Sequence, residues 1–407
     1  MAKRILLLTQ WFDPEPTFKG LLFAKALQKS GFDVEVVTGF PNYPSGKLYP
    51  GYKLQFRRKE VVEGIAITRV WLYPSHDRSV VRRAGNYLSF FASVALYGIF
   101  SARRADVIYA YHPPLTTGLA AALIKMLRRT PLVVDIQDLW PDTLRATGML
   151  SNARALRVID AFCNWMYRRC DRIVVLSPGF KKAIVDRGIP SENVEVIYNW
   201  ADEAALLKTS AAPLEGFEND KFKVLFAGNM GAAQALDSVL EAAALIRDMA
   251  PQVQFVFLGG GMDAARLKSV AEAKQLSNVR FLPAVPMAEV GSRLAAADAL
   301  LVHLKRDPLF EITIPSKTQA YMAAGRPIIM GVAGDAASLV TDADCGVLVE
   351  AENAQAIADA AVALSRLPPD RRAEMAANGR RFYFEHLSCG AATDKFARLF
   401  RALAERG

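Results

Sequence analysis

The sequence is poor in the residues that build metal centres and covalent staples. Four cysteines (Cys163, Cys170, Cys345 and Cys389) are scattered through 407 residues, and there are only four histidines. No two cysteines stand at metal-ligand or redox spacing, which excludes a disulfide scaffold or a zinc ribbon and fits a reducing cytoplasm. The spaced glycines of a dinucleotide fingerprint are missing. There is no tandem repeat and no low-complexity run, which excludes a solenoid. After Lys3-Arg4 the apolar core is only Ile5 to Leu8, too short for a signal peptide, so a first strand is expected there. The mostly apolar stretch from Ala84 to Phe100 is interrupted by Asn86 and Ser89 and is marginal for a membrane span. It is expected to be a helix partly in the core and partly facing a membrane, with Tyr87, Phe90, Phe91 and Tyr97 near the interface.

What is present is apolar surface and unevenly spread charge. Apolar residues make up 52%, enough for sizeable cores, and the length suits two domains. The net charge is +9, but residues 1–200 hold 28 Lys/Arg against 16 Asp/Glu, whereas residues 201–407 hold 22 against 25. The basic first half calls for an anionic partner. Its basic clusters lie beside apolar helices, which favours a membrane surface over nucleic acid, for which no recognised motif appears.

Along the chain, buried-strand patterns alternate with helical ones. Arg4 to Thr9 reads as a strand, Leu21 to Ser30 as a helix and Asp33 to Thr38 as a strand, the start of a doubly wound α/β unit. Ligands of such units bind at the carboxyl ends of the strands. Lys19 and Gly20 precede the first helix, and Asn42 and Tyr43 lie in a Pro/Gly/Tyr-rich loop after the second strand. Arg57 to Lys59 and Arg78 to Arg83 are basic, with Arg82 and Arg83 leading into the apolar helix. His112 follows the strand Val107 to Ala110, and Asp138 follows the strand Leu132 to Ile136, so both fall at one sheet edge. A first domain is expected over residues 1–199, a linker over 200–219 and a second α/β domain over 220–387. A last helix within 388–407 is expected to return to the first. In the second domain a strand opens into Gly228-Asn229-Met230-Gly231 and another into Gly259-Gly260-Gly261. The expected fold is α/β, two doubly wound Rossmann-like domains facing a deep cleft.

The most informative run is Leu309 to Pro327. Pro315-Ser316 reads as a helix start with Ser316 at or near the N-cap, and Gly325 and Pro327 end that helix. Its N-terminus directs free N–H groups and partial positive charge at whatever lies before it, a natural diphosphate site. Glu311 precedes the helix, Gln319 lies in its first turn, and Lys305, Arg306 and Lys317 supply nearby charge.

These pieces together resemble family 4 of the retaining glycosyltransferases, of the two-domain GT-B architecture, from Arg4 to the last helix. The resemblance rests on Pro41-Asn42-Tyr43-Pro44, His112-Pro113-Pro114-Leu115, Asp138-Leu139-Trp140-Pro141-Asp142, Leu176-Ser177, Gly228-Asn229-Met230-Gly231 and Ile314-Pro315-Ser316-Lys317. It is similar to the branch that builds bacterial surface polysaccharides such as lipopolysaccharide O-antigen, with transferases of fucosamine-type sugars among its members. The resemblance implies transfer of a sugar, of the N-acetylated deoxyamino class in that branch, from a UDP-sugar to a polyprenyl-diphosphate-linked acceptor. It implies a protein peripheral on the inner face of the bacterial plasma membrane.

It also implies roles. His112 hydrogen-bonds the donor sugar, Glu311 stands at the sugar end of the donor, and Asp138 shares the catalytic edge. Gly228, Asn229, Met230, Gly231, Gly260, Gly261, Lys305, Ile314, Pro315, Ser316 and Lys317 surround the donor. Gln319 takes the ribose position, where the family has a second carboxylate eight residues after the first. Lys19, Gly20, Asn42, Tyr43, Arg82 and Arg83 face the acceptor. The Arg and Lys that many members carry after the first glycine turn are replaced here by Asn229 and Ala233-Gln234. Asp342-Ala343-Asp344 mimics the metal motif of another glycosyltransferase fold but is read as a loop, so no metal and no cofactor beyond the donor are expected. Two other readings use the same residues. One is a nucleotide-sugar epimerase or hydrolase. The other is a degenerate membrane-bound partner of a polysaccharide assembly complex, motivated by Gln319 and the replaced cations.

Overall fold

The structure is a computed structural model that describes residues 2–75, 79–146, 150–207 and 221–405. The chain divides into two compact units. Unit 1 comprises Met1–Tyr198 with Ala392–Gly407, and unit 2 comprises Asn199–Ala391.

Unit 1 runs β1 (Arg4–Leu8), α1 (Leu21–Lys29), β2 (Asp33–Gly39), β3 (Arg57–Val62), β4 (Ile65–Val70), α2 (Val80–Phe100), β5 (Val107–His112), α3 (Leu115–Arg128), β6 (Leu132–Ile136), α4 (Asp142–Ala146), α5 (Ala153–Tyr167), β7 (Arg172–Val175), α6 (Pro178–Val185) and β8 (Val194–Val196). The strands form one sheet in the order β3-β4-β2-β1-β5-β6-β7-β8, parallel throughout except for β3. Strands β1, β5 and β6 are near-continuous apolar runs because helices cover both faces of a parallel sheet. The order reverses between β1 and β5, so the carboxyl ends of these two strands border a natural binding crevice.

Unit 2 runs α7 (Glu203–Leu206), β9 (Phe222–Asn229), α8 (Asp237–Ile246), β10 (Val253–Gly260), α9 (Ala264–Ala273), β11 (Val279–Leu282), α10 (Met287–Ala295), β12 (Ala299–His303), α11 (Pro308–Glu311), α12 (Ser316–Ala324), β13 (Ile328–Gly331), α13 (Asp335–Asp342), β14 (Gly346–Leu348), α14 (Ala354–Arg366) and α15 (Pro369–Phe382). Its six parallel strands are ordered β11-β10-β9-β12-β13-β14, with the reversal between β9 and β12. Phe226, Phe255, Phe257, Leu240, Ile246 and Leu301 belong to one buried cluster under this sheet. The last helix, α16 (Cys389–Ala404), has Phe396 and Phe400 packed on Phe23, Phe32 and Tyr109 of unit 1.

Several local features go beyond or correct the expectations. Arg57 to Lys59, read from the sequence only as basic, open β3, which pairs antiparallel with β4, and its alternating exposure marks a sheet edge. The apolar helix begins at Val80 rather than Ala84, because the Ser79 side chain caps the Arg82 N–H. Phe90 and Tyr97 face the core, and Tyr97 donates to Glu35; the exposed apolar residues of α2 are Val81, Leu88, Leu96 and Phe100. No helix of the described residues is long and apolar enough to cross a membrane. The expected linker carries α7 at its start, and residues 208–219 of it lie outside the described residues.

Candidate functional site

In unit 1 the candidate residues gather at the carboxyl edge of the sheet, after β1, β2, β5 and β6. His112 ends β5 and is fully buried. Among the described residues neither ring nitrogen has a partner beyond its own backbone, and burial pushes the imidazole down to about 4. A neutral imidazole with free donor and acceptor capacity is suited to a hydroxyl-bearing ligand. Asp138, two residues beyond β6, is half-buried, and desolvation raises its carboxyl above the usual range.

The loops in front of this edge are tied together by a residue that the sequence reading missed. Glu15 is 3% exposed, yet its Oε1 accepts from the backbone N–H groups of Asn42 (2.7 Å) and Tyr43 (2.8 Å), and its Oε2 accepts from Phe12 N–H (3.1 Å). Burial outweighs these bonds and pushes the carboxyl up to about 7. A charged residue inside a Pro-rich loop gives no local signal that it will be buried. Tyr43, positioned by this clasp, stacks on Trp11 with centroids 4.5 Å apart.

Three expected acceptor residues do other work. Lys19 is fully buried; its Nζ lies 3.9 Å from Asp135 Oδ2 and over the Phe23 and Phe396 rings, so it neutralises a core carboxylate. Tyr109 and Gln137 donate to that same carboxylate. Asn42 is buried, donates to Phe40 C=O (2.9 Å) and joins Asn86 and Gln10 in a side-chain chain. Gly20 is small to admit the Asp13 carboxylate, which accepts from Leu21 N–H (2.6 Å); a Cβ there would sit 2.2 Å from Asp13 Oδ2. Tyr43 and Arg83 are half-buried and Arg82 is exposed.

In unit 2 the candidates gather at the β9/β12 reversal. The two glycine turns serve each other first. A Cβ on Gly259 (φ +132°) would lie 2.3 Å from Gly228 C=O, and one on Gly261 would lie 2.2 Å from Met230 C=O. The Gly231 N–H, expected against a diphosphate, instead donates to Gln234 Oε1 (3.0 Å). Gly260 faces open space, and Asn229 is exposed beside it in the β9–β10 pairing, so both remain accessible. His303, also missed, fixes the turn after β9. Its Nδ1 lies 2.7 Å from Gln234 C=O and its Nε2 accepts from Glu352 N–H (3.0 Å), so the proton is on Nδ1.

Helix α12 starts one residue earlier than an N-cap at Ser316 implies: Pro315 is the N-cap and Ser316 the first helical residue. Thr318 N–H bonds back to Pro315 C=O (2.8 Å). Thr318 and Gln319 are buried, and Thr318 Oγ1 and Gln319 Oε1 have no hydrogen-bond partner among the described residues. Ile314 is buried just before the helix. Glu311 lies not in open loop but at the end of α11, exposed, with its backbone packed where Gly334 has no side chain.

Of the three candidate cations the geometry singles out Lys317. Arg306 pairs with Glu350 (2.7 Å) and bonds the Ala351 and Glu352 region. Lys305 Nζ lies 5.8 Å from the Phe310 ring centroid. Lys317 Nζ stands 3.7 Å over the Phe226 ring with its stem against Gly228, has no carboxylate partner among the described residues, and is pushed down to about 8 by burial. A desolvated cation in the first turn of a helix is prepared for an anion, while the buried Gln319 Oε1, an acceptor, calls for a donor such as a hydroxyl. Asp344 is held by Arg371 (3.0 Å).

Comparison with known proteins bears on the family and the fold. Residues 21–200 match the glycosyl transferase 4-like domain, and residues 210–382 match the glycosyl transferases group 1 family. The chain is 27% identical over 311 residues to WcaI of Escherichia coli K12, a glycosyl transferase assigned to colanic acid biosynthesis, covering 74% of this chain and 75% of WcaI. It is 28% identical over 233 residues to WbjE of Pseudomonas aeruginosa, named as a glycosyltransferase, covering 56% of this chain and 58% of WbjE. Among solved structures, Anabaena HepE in complex with UDP and glucose superposes with a TM-score of 0.69 at 18% identity, covering 98% of this chain and all of HepE. Two parallel-sheet α/β domains, a family model matched by each, and glycosyltransferase relatives place the chain in glycosyltransferase family 4, an enzyme of the GT-B fold.

Proposed function

We propose that this enzyme transfers a sugar, with retention at the anomeric carbon, from a UDP-sugar to a polyprenyl-diphosphate-linked saccharide in bacterial surface-polysaccharide synthesis. The observation that carries the donor part is Lys317, a half-buried cation in the first turn of α12 with no carboxylate partner among the described residues, its stem against Gly228 at the end of β9. A nucleoside diphosphate supplies the missing charge. HepE, of the same fold, binds UDP and UDP-glucose, and WcaI is assigned to colanic acid biosynthesis.

In this reading the C1–O bond breaks, positive charge grows on the sugar ring and negative charge on the departing diphosphate. Lys317 and the N-terminus of α12 stabilise that negative charge, so the reaction requires no metal. Attack is from the front side and the leaving phosphate takes the proton of the attacking acceptor hydroxyl, as the family resemblance implies. His112 binds a sugar hydroxyl through its neutral ring, Glu311 faces the sugar and Gln319 bonds the ribose without a charge-assisted contact. Asp138 shares the edge with His112, and Tyr43, Arg82 and Arg83 meet the acceptor. The basic, apolar first half supports a location on the inner face of the plasma membrane.

The test is thermal stability with UDP, GDP, ADP and CMP. A ligand at a hundred times its dissociation constant stabilises by about 2.7 kcal/mol, a visible shift. UDP alone is expected to shift the wild type, and Lys317→Met to lose most of that shift. A shift with another nucleotide changes the donor class. No shift with any nucleotide in a folded sample replaces this reading with the degenerate partner that Gln319 favours.

A further inference from the structure

Outside both candidate clusters, unit 1 carries a groove with almost no polar lining. It has a volume of about 510 Å³ and lies between α2, α3 and α5, lined by Phe91, Leu119, Leu123, Val158, Phe162 and Trp165. Val158 and Phe162 are more than half exposed (55% and 51%), and Met126 and Leu127 extend the apolar stripe of α3 past the groove (51% and 66%). Side chains that large are normally buried or scattered singly, so a contiguous set marks a binding surface.

The charge around the groove is one-sided. Across α2, α3 and α5 the only acidic residue is Asp160, which accepts from Asn164 and lies 4.0 Å from Arg187. Against it stand Arg82, Arg83, Arg128, Arg154 and Arg157, whereas Lys125 is paired with Asp171 (2.5 Å). On α5 the positions 154, 158, 161, 162 and 165 share one face by helical spacing, and Arg169, in the turn after the helix, folds back over Trp165 at its end. That face is therefore an apolar stripe with an arginine at each end. Arg154 is exposed and has no carboxylate partner among the described residues, and Arg169 stacks on Trp165 with its guanidinium carbon 4.1 Å from the ring centroid. A hydrocarbon floor, a Trp at its edge and flanking arginines match a lipid chain below anionic headgroups. A protein partner would be met by hydrogen-bonding groups, which interfaces carry at about one per 100–200 Å² and which this groove lacks.

We infer that the α2–α3–α5 groove takes an acyl chain of an anionic phospholipid bilayer and so sets which face of unit 1 lies on the membrane. This rests on the membrane-surface part of the proposed function and is independent of sugar transfer.

The test uses the full chain with vesicles of phosphatidylcholine containing ~30% phosphatidylglycerol. Co-sedimentation measures binding, and bromine-labelled acyl chains report on Trp165 by quenching its fluorescence. The expected result is binding, quenching that is largely lost in Trp165→Phe, and roughly tenfold or greater weakening in Val158→Gln/Phe162→Gln with its UDP-induced shift intact. If that double variant does not fold, quenching of the wild type against Trp165→Phe decides alone. Vesicle binding with equal quenching in wild type and Trp165→Phe overturns the groove and leaves membrane association standing. No vesicle binding overturns both. A dimer that Phe162→Gln dissociates, with no vesicle binding, assigns the groove to a second copy and overturns the lipid.

Discussion

At the scale of single residues, burial rather than charge pairing sets the chemistry of the first-domain edge. His112 and Glu15 are both desolvated, and desolvation moves an imidazole and a carboxyl in opposite directions. The imidazole titrates near 4 in the folded chain and near 6.5 when unfolded, so its contribution to stability is lost as pH falls from 6.5 to 4. The Glu15 carboxyl titrates near 7 folded and 4.5 unfolded, so its contribution is present below 4.5 and lost as pH rises to 7. Urea midpoints against pH are expected to show this directly. Relative to wild type, His112→Gln removes a loss on the acid side, and Glu15→Gln flattens the decline between 4.5 and 7. Neither role is visible in the sequence. A lone His or Glu beside prolines carries no mark of its eventual burial, and only the packing of four strand ends supplies it.

At the scale of elements, the sequence told strands and helices apart wherever the apolar pattern was long. Strands β1, β2 and β6 and helix α1 lie within a residue or two of their expected bounds, because continuous apolar runs and helical spacing are local signals. β3 was not legible: Arg57, Arg58 and Lys59 are a poor strand composition, and only pairing with β4 makes them one. Helices α9, α10 and α13 were also missed; at ten, nine and eight residues they are too short for their apolar spacing to repeat more than twice. The glycine turns were found, but their first task is mutual packing of β9 and β10. Gly259→Ala is therefore expected to cost at least ~2 kcal/mol, from a positive φ and a carbonyl 2.3 Å away. Gly260→Ala, with nothing within 4 Å, is expected to stay within ~0.5 kcal/mol of wild type. Chemical denaturation of the two variants checks the contrast.

At the scale of the whole molecule, unit 1 is discontinuous in sequence. Its core is completed by α16, whose Phe396 and Phe400 sit against Phe23, Phe32 and Tyr109 and beside the buried Lys19. Each Phe lost from such a core costs about 3–5 kcal/mol, against a total domain stability of about 5–15 kcal/mol. Truncation after Ala391 is therefore expected to abolish the cooperative unfolding of unit 1. Unit 2, with its own core and the Lys317 cluster, is expected to keep its UDP-induced gain in calorimetry.

The sequence by itself determined the α/β alternation, the two sheets and the strand ends on which ligand-binding loops fall. Those follow from apolar periodicity and from where a parallel strand must stop. The tertiary structure alone decided which of the named residues remain free to act. It withdrew Lys19, Asn42 and Gly231, which spend their polar groups on the protein itself, and it brought forward Glu15 and His303. It separated Lys317 from Arg306, two cations of like sequence context, because one meets a carboxylate and the other only an aromatic ring. Partner identity depends on three-dimensional proximity, and spacing along the chain does not encode it.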